Sequence, residues 1–237
     1  MILAILQARM SSTRLPGKVM LPLAGAPMIQ RQIERVQQAA NIDELIVATS
    51  DQASDDPLAA FLEGRSVAVY RGPLEDVQQR FVGAAAEFPA AAIVRLTADC
   101  PLADAGVIDD TIDVFLDSGA AYASNTPPQR TFPKGLDVEV FTVEALRRAA
   151  LDPSPEAREH VTWDMFRQPD RYPAAFHSQA VQEGEVRWTV DRPDDYEFVS
   201  AVYDGLFKRD PDFGSDEVRA FVRGRPKLAA YGGDRRV

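Results

Sequence analysis

Short apolar runs alternate with helix-period segments through the first hundred residues. The runs Ile2 to Leu6, Glu44 to Thr49, Ser66 to Tyr70 and Ala91 to Thr97 have the length and residue types of strands. Met28 to Ala40, Asp56 to Glu63 and Asp76 to Glu87 lie between them and repeat their apolar positions at helical spacing. Strands that are apolar on both faces, each followed by one helix, predict a mainly parallel sheet covered on both sides, an α/β fold. After Asp99 the rhythm changes. A helix is predicted at Asp104 to Ser118 and a strand at Ala121 to Asn125, followed by a passage holding Pro127, Pro128 and Pro133. Strict alternation returns from Gly135 to Phe141, with Leu136, Val138 and Val140 on one face and Asp137 and Glu139 on the other. Helices at Thr142 to Leu151 and Arg158 to Arg167 precede extended segments at Tyr172 to Gln179 and Glu185 to Asp191. Two helices, Asp194 to Arg209 and Ser215 to Arg223, follow, and Gly232 to Val237 reads as a frayed tail. The whole chain, 1–237, is expected to be one domain, with 125–180 as an inserted lobe.

A parallel sheet of this kind places its chemistry at the carboxyl ends of the strands. The loop after the first strand carries Arg9, Arg14, Gly17 and Lys18 among small residues, the makings of a phosphate grip in which backbone N–H groups approach an anion and cations neutralise it. It is not a P-loop, because Val19 follows Lys18, and it is not a dinucleotide fingerprint, because Gly17 stands alone. Asp99 follows the fourth strand, and Asp191 closes another extended run just before Pro193 opens a helix. Two carboxylates at strand ends beside a triphosphate grip suit Mg²⁺, which takes oxygen ligands from one or two carboxylates plus substrate phosphates. Asp194 and Asp195, on the first turn of that helix, read as acids that complement its dipole. Arg130 and Lys134 approach the strand carrying Asp137 and Glu139, so this stretch is expected to build the acceptor side, a cation for a carboxylate and acids for hydroxyls.

Composition narrows the field. The net charge of −10 speaks against nucleic acid as a partner. Cys100 is the only cysteine, so no intrachain disulfide can form, and it reads as a small core residue. No apolar stretch approaches the ~20 residues of a membrane span, and a cytoplasmic enzyme is expected. The serine triad order, the C-x-x-C pair and the HExxH helix are all missing, which leaves hydrolase, redox and zinc chemistry without residues to carry them.

The opening QARMSSTRLPGK is far more specific than a generic cationic loop, and with it the chain resembles the cytidylyltransferase superfamily that activates acidic sugars as CMP conjugates. The resemblance is strongest to the branch of spore coat polysaccharide biosynthesis proteins. Val94 to Leu102 (VRLTADCPL), Ser124 to Phe141 (ending GLDVEVF), Arg158 to Thr162 (REHVT) and Arg187 to Asp195 (RWTVDRPDD) carry it along most of the chain. The sequence departs from the usual pattern at Ser12 and Ala98, where glycine is common, at Arg192, where threonine is common, and at Lys134, often an acid.

The resemblance implies a three-layer Rossmann-like nucleotidyltransferase fold of the GT-A type. It also implies a nucleotide site on Gln7, Ala8, Arg9, Ser12, Arg14, Lys18 and Arg95, with Arg14 and Lys18 on the triphosphate, and Mg²⁺ on Asp99 and Asp191. Arg130, Lys134, Asp137, Glu139, Glu159 and His160 are the expected acceptor-sugar residues. The expected reaction is in-line attack by the anomeric hydroxyl of an acidic sugar on the α-phosphate of CTP, giving a CMP-sugar and pyrophosphate. A homodimer is expected through 125–180, where Phe132, Trp163, Phe166, Tyr172 and Phe176 look exposed. Two rivals are a sugar-1-phosphate nucleotidyltransferase, which carries a denser glycine signature, and a catalytically idle nucleotide-binding module.

Overall fold

The computed structural model describes all residues from Met1 to Val237. Four parallel strands form one half of a seven-stranded sheet: β1 (Ile2–Gln7), β4 (Glu44–Ser50), β5 (Ala68–Gly72) and β6 (Ala92–Thr97). A two-residue hairpin, β2 (Pro22–Leu23) and β3 (Ala26–Pro27), interrupts the first crossover and was not foreseen from the periodicity. The crossover helices are α1 (Met28–Val36), α2 (Asp56–Glu63) and α3 (Val77–Glu87). Helix α4 (Ala105–Ser118) then leads to β7 (Tyr122–Ser124), β8 (Glu139–Thr142) and β9 (Ala174–Phe176). The sheet order is β5-β4-β1-β6-β8-β7-β9, and β8 alone runs against its neighbours.

Alternation along the strands sorts the core into two layers. Ala4, Leu6, Val94 and Leu96 face α1, α4 and the later helices α8 (Pro193–Leu206) and α9 (Ser215–Arg223). Leu3, Ile5, Ile46 and Ile93 face α3 and α5 (Val143–Ala149). This is the three-layer α/β arrangement that the pattern predicts. Helix starts follow side-chain chemistry: Asp76 accepts from the Gln79 N–H, Asp104 from the Val107 N–H and Thr142 from the Ala145 N–H.

Five expectations need correction. Arg158 to Arg167 is not one helix but two short ones, α6 (Pro155–Glu159) and α7 (Trp163–Arg167), because His160 turns extended and Thr162 sends its hydroxyl to Glu139. Glu185 to Asp191 is extended but joins no ladder; it meets the sheet region through a parallel bridge between Arg187 and Lys134 and through the Val190 N–H, which donates to the Asp99 carbonyl after β6. The alternating Gly135 to Phe141 enters its ladder only at Glu139. The final residues are not frayed: Arg236 is fully buried, its Nη2 donates to Asp195, and its carbonyl accepts from the Trp188 indole. Phe132 and Tyr172 are likewise core residues, whereas Phe166 and Phe176 remain exposed.

Candidate active site

Strands β1 and β6 are neighbours whose connections leave in opposite directions, so a crevice opens at their carboxyl ends. The loop after β1 is folded back on itself: Gly17 N–H donates to the Met10 carbonyl, and Gly17 adopts φ +70°, a conformation that glycine takes without cost. Met10 N–H donates to the buried Asp55 carboxylate, which anchors the loop to the segment after β4. A 3-10 turn at Lys18–Met20 then carries the Lys18 side chain inward.

Lys18 is the hub. Its Nζ donates to the Val190 carbonyl at 2.7 Å and to Asp191 Oδ1 at 3.0 Å, and lies 3.6 Å from Asp99 Oδ2. Asp99 is aimed by the Thr97 hydroxyl, which donates to its Oδ1 at 2.6 Å, and its backbone carbonyl accepts the Val190 N–H at 2.7 Å. Asp191 also meets Arg187 at 2.9 Å and Arg14 at 3.1 Å through Oδ2. Burial pushes the Asp191 carboxyl up, but Lys18, Arg187 and Arg14 outweigh it and hold it below the usual carboxylate range. Gln7, Ala8, Arg9, Ser12, Arg14, Lys18, Asp99 and Asp191 line one hollow, so the structure brings the expected phosphate cations and the expected carboxylate pair to a single place.

Two further hollows, of about 380 and 550 Å³, adjoin it, within the ~300–1,000 Å³ range of ligand sites. The smaller is lined by Arg95, Thr97, Thr126, Asp137, Glu139, His160, Thr162 and the aromatic pair Trp163 and Phe166. The larger shares Gln7, Arg9, Arg95 and His160 and adds Glu159 and Arg158. Arg95 therefore belongs to both. It is held by an ion pair with Glu139, whose other oxygen accepts from Tyr122 and Thr162 at 2.7 Å each. Burial raises the Glu139 carboxyl; the Arg95 charge and the Thr162 and Tyr122 hydroxyls bring it below its ordinary value.

Not every expected residue converges. Arg130 makes a two-pronged pair with Asp137, at 2.5 and 2.9 Å, and lines none of the three hollows. Lys134 lines none either; its backbone, not its ammonium, does the bridging. Sequence reasoning read Asp195 only as an acid complementing the helix dipole and gave Arg187 no role at the site. Asp195 is fully buried, and although burial raises its carboxyl, hydrogen bonds from Arg187, the Asp191 N–H, Arg192 and Arg236 hold it far below the carboxylate range. The local signal, an acid on a helix's first turn, describes the capping box it forms with Arg192 but not the guanidinium cluster around it.

Comparison with known proteins bears on this geometry. The sequence profile of a family described as Cytidylyltransferase matches residues 3–178. The chain is 34% identical over 238 residues to the spore coat polysaccharide biosynthesis protein SpsF of Bacillus subtilis, covering 96% of each. It is 37% identical over 111 residues to the 3-deoxy-manno-octulosonate cytidylyltransferase of Geobacter metallireducens, covering 47% of this chain and 43% of that one. Among solved structures, a cytidylyltransferase from Leptospira borgpetersenii superposes with a TM-score of 0.90 at 28% identity, covering 96% of this chain and 95% of the other. The family profile over most of the chain and the 34% identity along nearly the full length of a relative show that the chain belongs to the cytidylyltransferase family.

Proposed function

We propose that the chain transfers CMP from CTP to the anomeric hydroxyl of an acidic α-keto sugar, releasing pyrophosphate and supplying a surface polysaccharide. The observation that carries this reading is the convergence of Arg14 and Lys18 with Asp99 and Asp191 at the mouth of the β1–β6 crevice. The names of the relatives, a polysaccharide protein and an octulosonate cytidylyltransferase, support the substrate class.

In the reaction proposed, Arg14 and Lys18 leave their carboxylate partners and take phosphate oxygens, so the entering anion exchanges one set of charge-assisted bonds for another. Asp99 and Asp191 would hold Mg²⁺. Their oxygens both come within 3.6 Å of one ammonium, so a cation already bridges them, and no third acid or histidine completes a metal cluster. That donor set fits an ion that fills its remaining positions with phosphate and water. Bound Mg²⁺ supplies neutralisation of charge on the α-phosphate and the departing pyrophosphate. The residues of the chain otherwise contribute position and charge, which suits a transfer needing little covalent chemistry from the protein.

The acceptor is placed in the hollow between Arg95 and Trp163, where Thr97, Thr126, Thr162, Asp137 and His160 offer polar groups to hydroxyls. Arg95 is the cation assigned to the sugar carboxylate. Arg95 lines that hollow and meets Glu139 through Nη1, whereas Arg130 and Lys134 both lie outside it.

Pyrophosphate release assayed with each nucleoside triphosphate against a panel of acidic sugars tests the reading directly. CTP with one α-keto acid sugar is expected to turn over, and Asp99→Asn and Asp191→Asn are each expected to cost several kcal/mol of transition-state stabilisation. A variant that keeps more than about a tenth of the activity, a loss below ~1.4 kcal/mol, removes its residue from that role. Turnover of a sugar 1-phosphate in place of the free sugar overturns the substrate class.

A further inference from the structure

The Asp195 carboxylate is unusual for a helix cap. An acid at this position of a helix needs only one or two backbone N–H partners. Asp195 takes those, accepting from the N–H groups of Asp191 and Arg192 at 3.0 Å each, and then three guanidinium groups as well. Arg187 donates to both its oxygens, at 3.0 and 2.9 Å; Arg236 donates at 2.9 Å and Arg192 at 3.3 Å. Asp195 and Arg236 are both fully buried. Arg236 reaches this point from a closing segment whose backbone is laid against the Asp191 loop: Arg187 N–H donates to the Arg235 carbonyl at 2.9 Å, and Arg236 Nη1 donates to the Arg187 carbonyl at 2.7 Å.

The same Arg187 nitrogen that donates to Asp195 also donates to Asp191 Oδ2 at 2.9 Å. Asp191 is therefore gripped twice by one buried acid, at its backbone N–H and through a shared arginine. Charge makes the second grip matter. With Asp195 ionised, Arg187 and Arg236 have a carboxylate of their own, and Asp191 keeps its charge for what enters the crevice. Without that charge, Arg187 and the buried Arg236 would be left to Asp191 and to Asp234, whose Oδ2 lies farther off, 3.8 Å from Arg187 Nε and 3.6 Å from Arg236 Nη2.

We infer that Asp195, held by Arg236 and Arg187, is a positioning residue that keeps the Asp191 carboxylate both aimed and available for the metal–nucleotide complex. This rests on the metal role proposed above for Asp191, and the experiment separates the two. CTP binding to the full-length chain is measured by calorimetry in EDTA and again in Mg²⁺, with no sugar present. The quantity read is the gain in affinity that the metal confers. Asp191→Asn is expected to abolish the gain. Asp195→Asn is expected to cut it by about 10- to 100-fold, the usual effect of removing a group behind a metal ligand, while CTP affinity in EDTA stays within about twofold. The double variant Asp195→Asn with Arg236→Met restores charge balance and is expected to recover most of the gain, a rescue that a purely structural cap does not allow.

A folded Asp195→Asn protein with the full gain overturns the inference and leaves the role of Asp191 standing. Failure of the double variant to recover any of the gain overturns it too, since Asp195 would then act through packing alone. If Asp195→Asn does not fold, Asp195→Glu, which keeps the charge but shifts it by a methylene, is expected to lose much of the gain, and full gain there is an equal refutation. An unaltered gain in Asp191→Asn removes the metal reading and this inference with it.

Discussion

Single residues in this site are held by partners that lie far away in the sequence. Glu139 shows what that does to stability. Its buried carboxylate accepts from Arg95, Tyr122 and Thr162, and its folded-state pKa is lowered despite burial. A carboxylate whose pKa is lower folded than unfolded contributes stability that is complete above the unfolded value of about 4.3 and is lost as pH falls through the folded one. Glu139→Gln leaves Arg95 without its counter-charge and is expected to cost about 3–5 kcal/mol in urea unfolding at pH 7. The gap to the parent protein should narrow below about pH 4, and a constant gap down to pH 3 would mean the ionised form is not what matters. Much of this scale was legible in advance. Lys18, Arg14, Asp99 and Asp191 sit in motifs whose spacing announces charge at strand ends, and the structure brings them together. Asp195 and Arg236 were not legible, because the pairing spans 41 positions and nothing local to either residue points to the other.

Among the elements, the parallel strands and their crossover helices could be read because apolar periodicity is a local property, and boundaries moved by only a few residues. The segments around the site followed tertiary demands instead. The stretch from Glu185 to Asp191 has the pattern of a strand, yet its partners are the Lys134 backbone, the Asp99 carbonyl and the closing segment. Gly135 makes the first contact possible. It has φ +110°, and a Cβ there would stand 2.5 Å from the Thr189 nitrogen and 2.7 Å from the Trp188 carbonyl carbon. Lys134 meanwhile accepts at its carbonyl from the Trp188 and Thr189 N–H groups at 2.7 and 3.0 Å. Gly135→Ala is expected to combine backbone strain of about 1–3 kcal/mol with the loss of that close approach. Because Thr189 is two residues from Asp191, pyrophosphate release should fall further than stability alone explains. Denaturant midpoints and activity measured on the same preparation check this, and parallel small losses in both would show that the loop absorbs the methyl group.

For the molecule as a whole, the exposed aromatics Phe166 and Phe176, with Leu151 also exposed, lie in the stretch expected to carry a dimer contact, though Phe132 and Tyr172 are used inside. Light scattering at micromolar concentration is expected to return about twice the 26.1 kDa chain mass, and a value at the chain mass rules the dimer out. One feature of the crevice also bears on how the protein comes to be active. Lys18 bonds to Val190 and Asp191 across 172 and 173 positions, and Arg187 bonds back to residue 235. Contacts of such sequence separation close late, since the entropy of the intervening chain has to be given up before they form. The parallel strands can therefore assemble into a protein with nearly all its secondary structure but no competent crevice. The crevice is thus among the last parts of the fold to form, complete only once the segment from Arg187 to Asp191 has docked on the loop after β1.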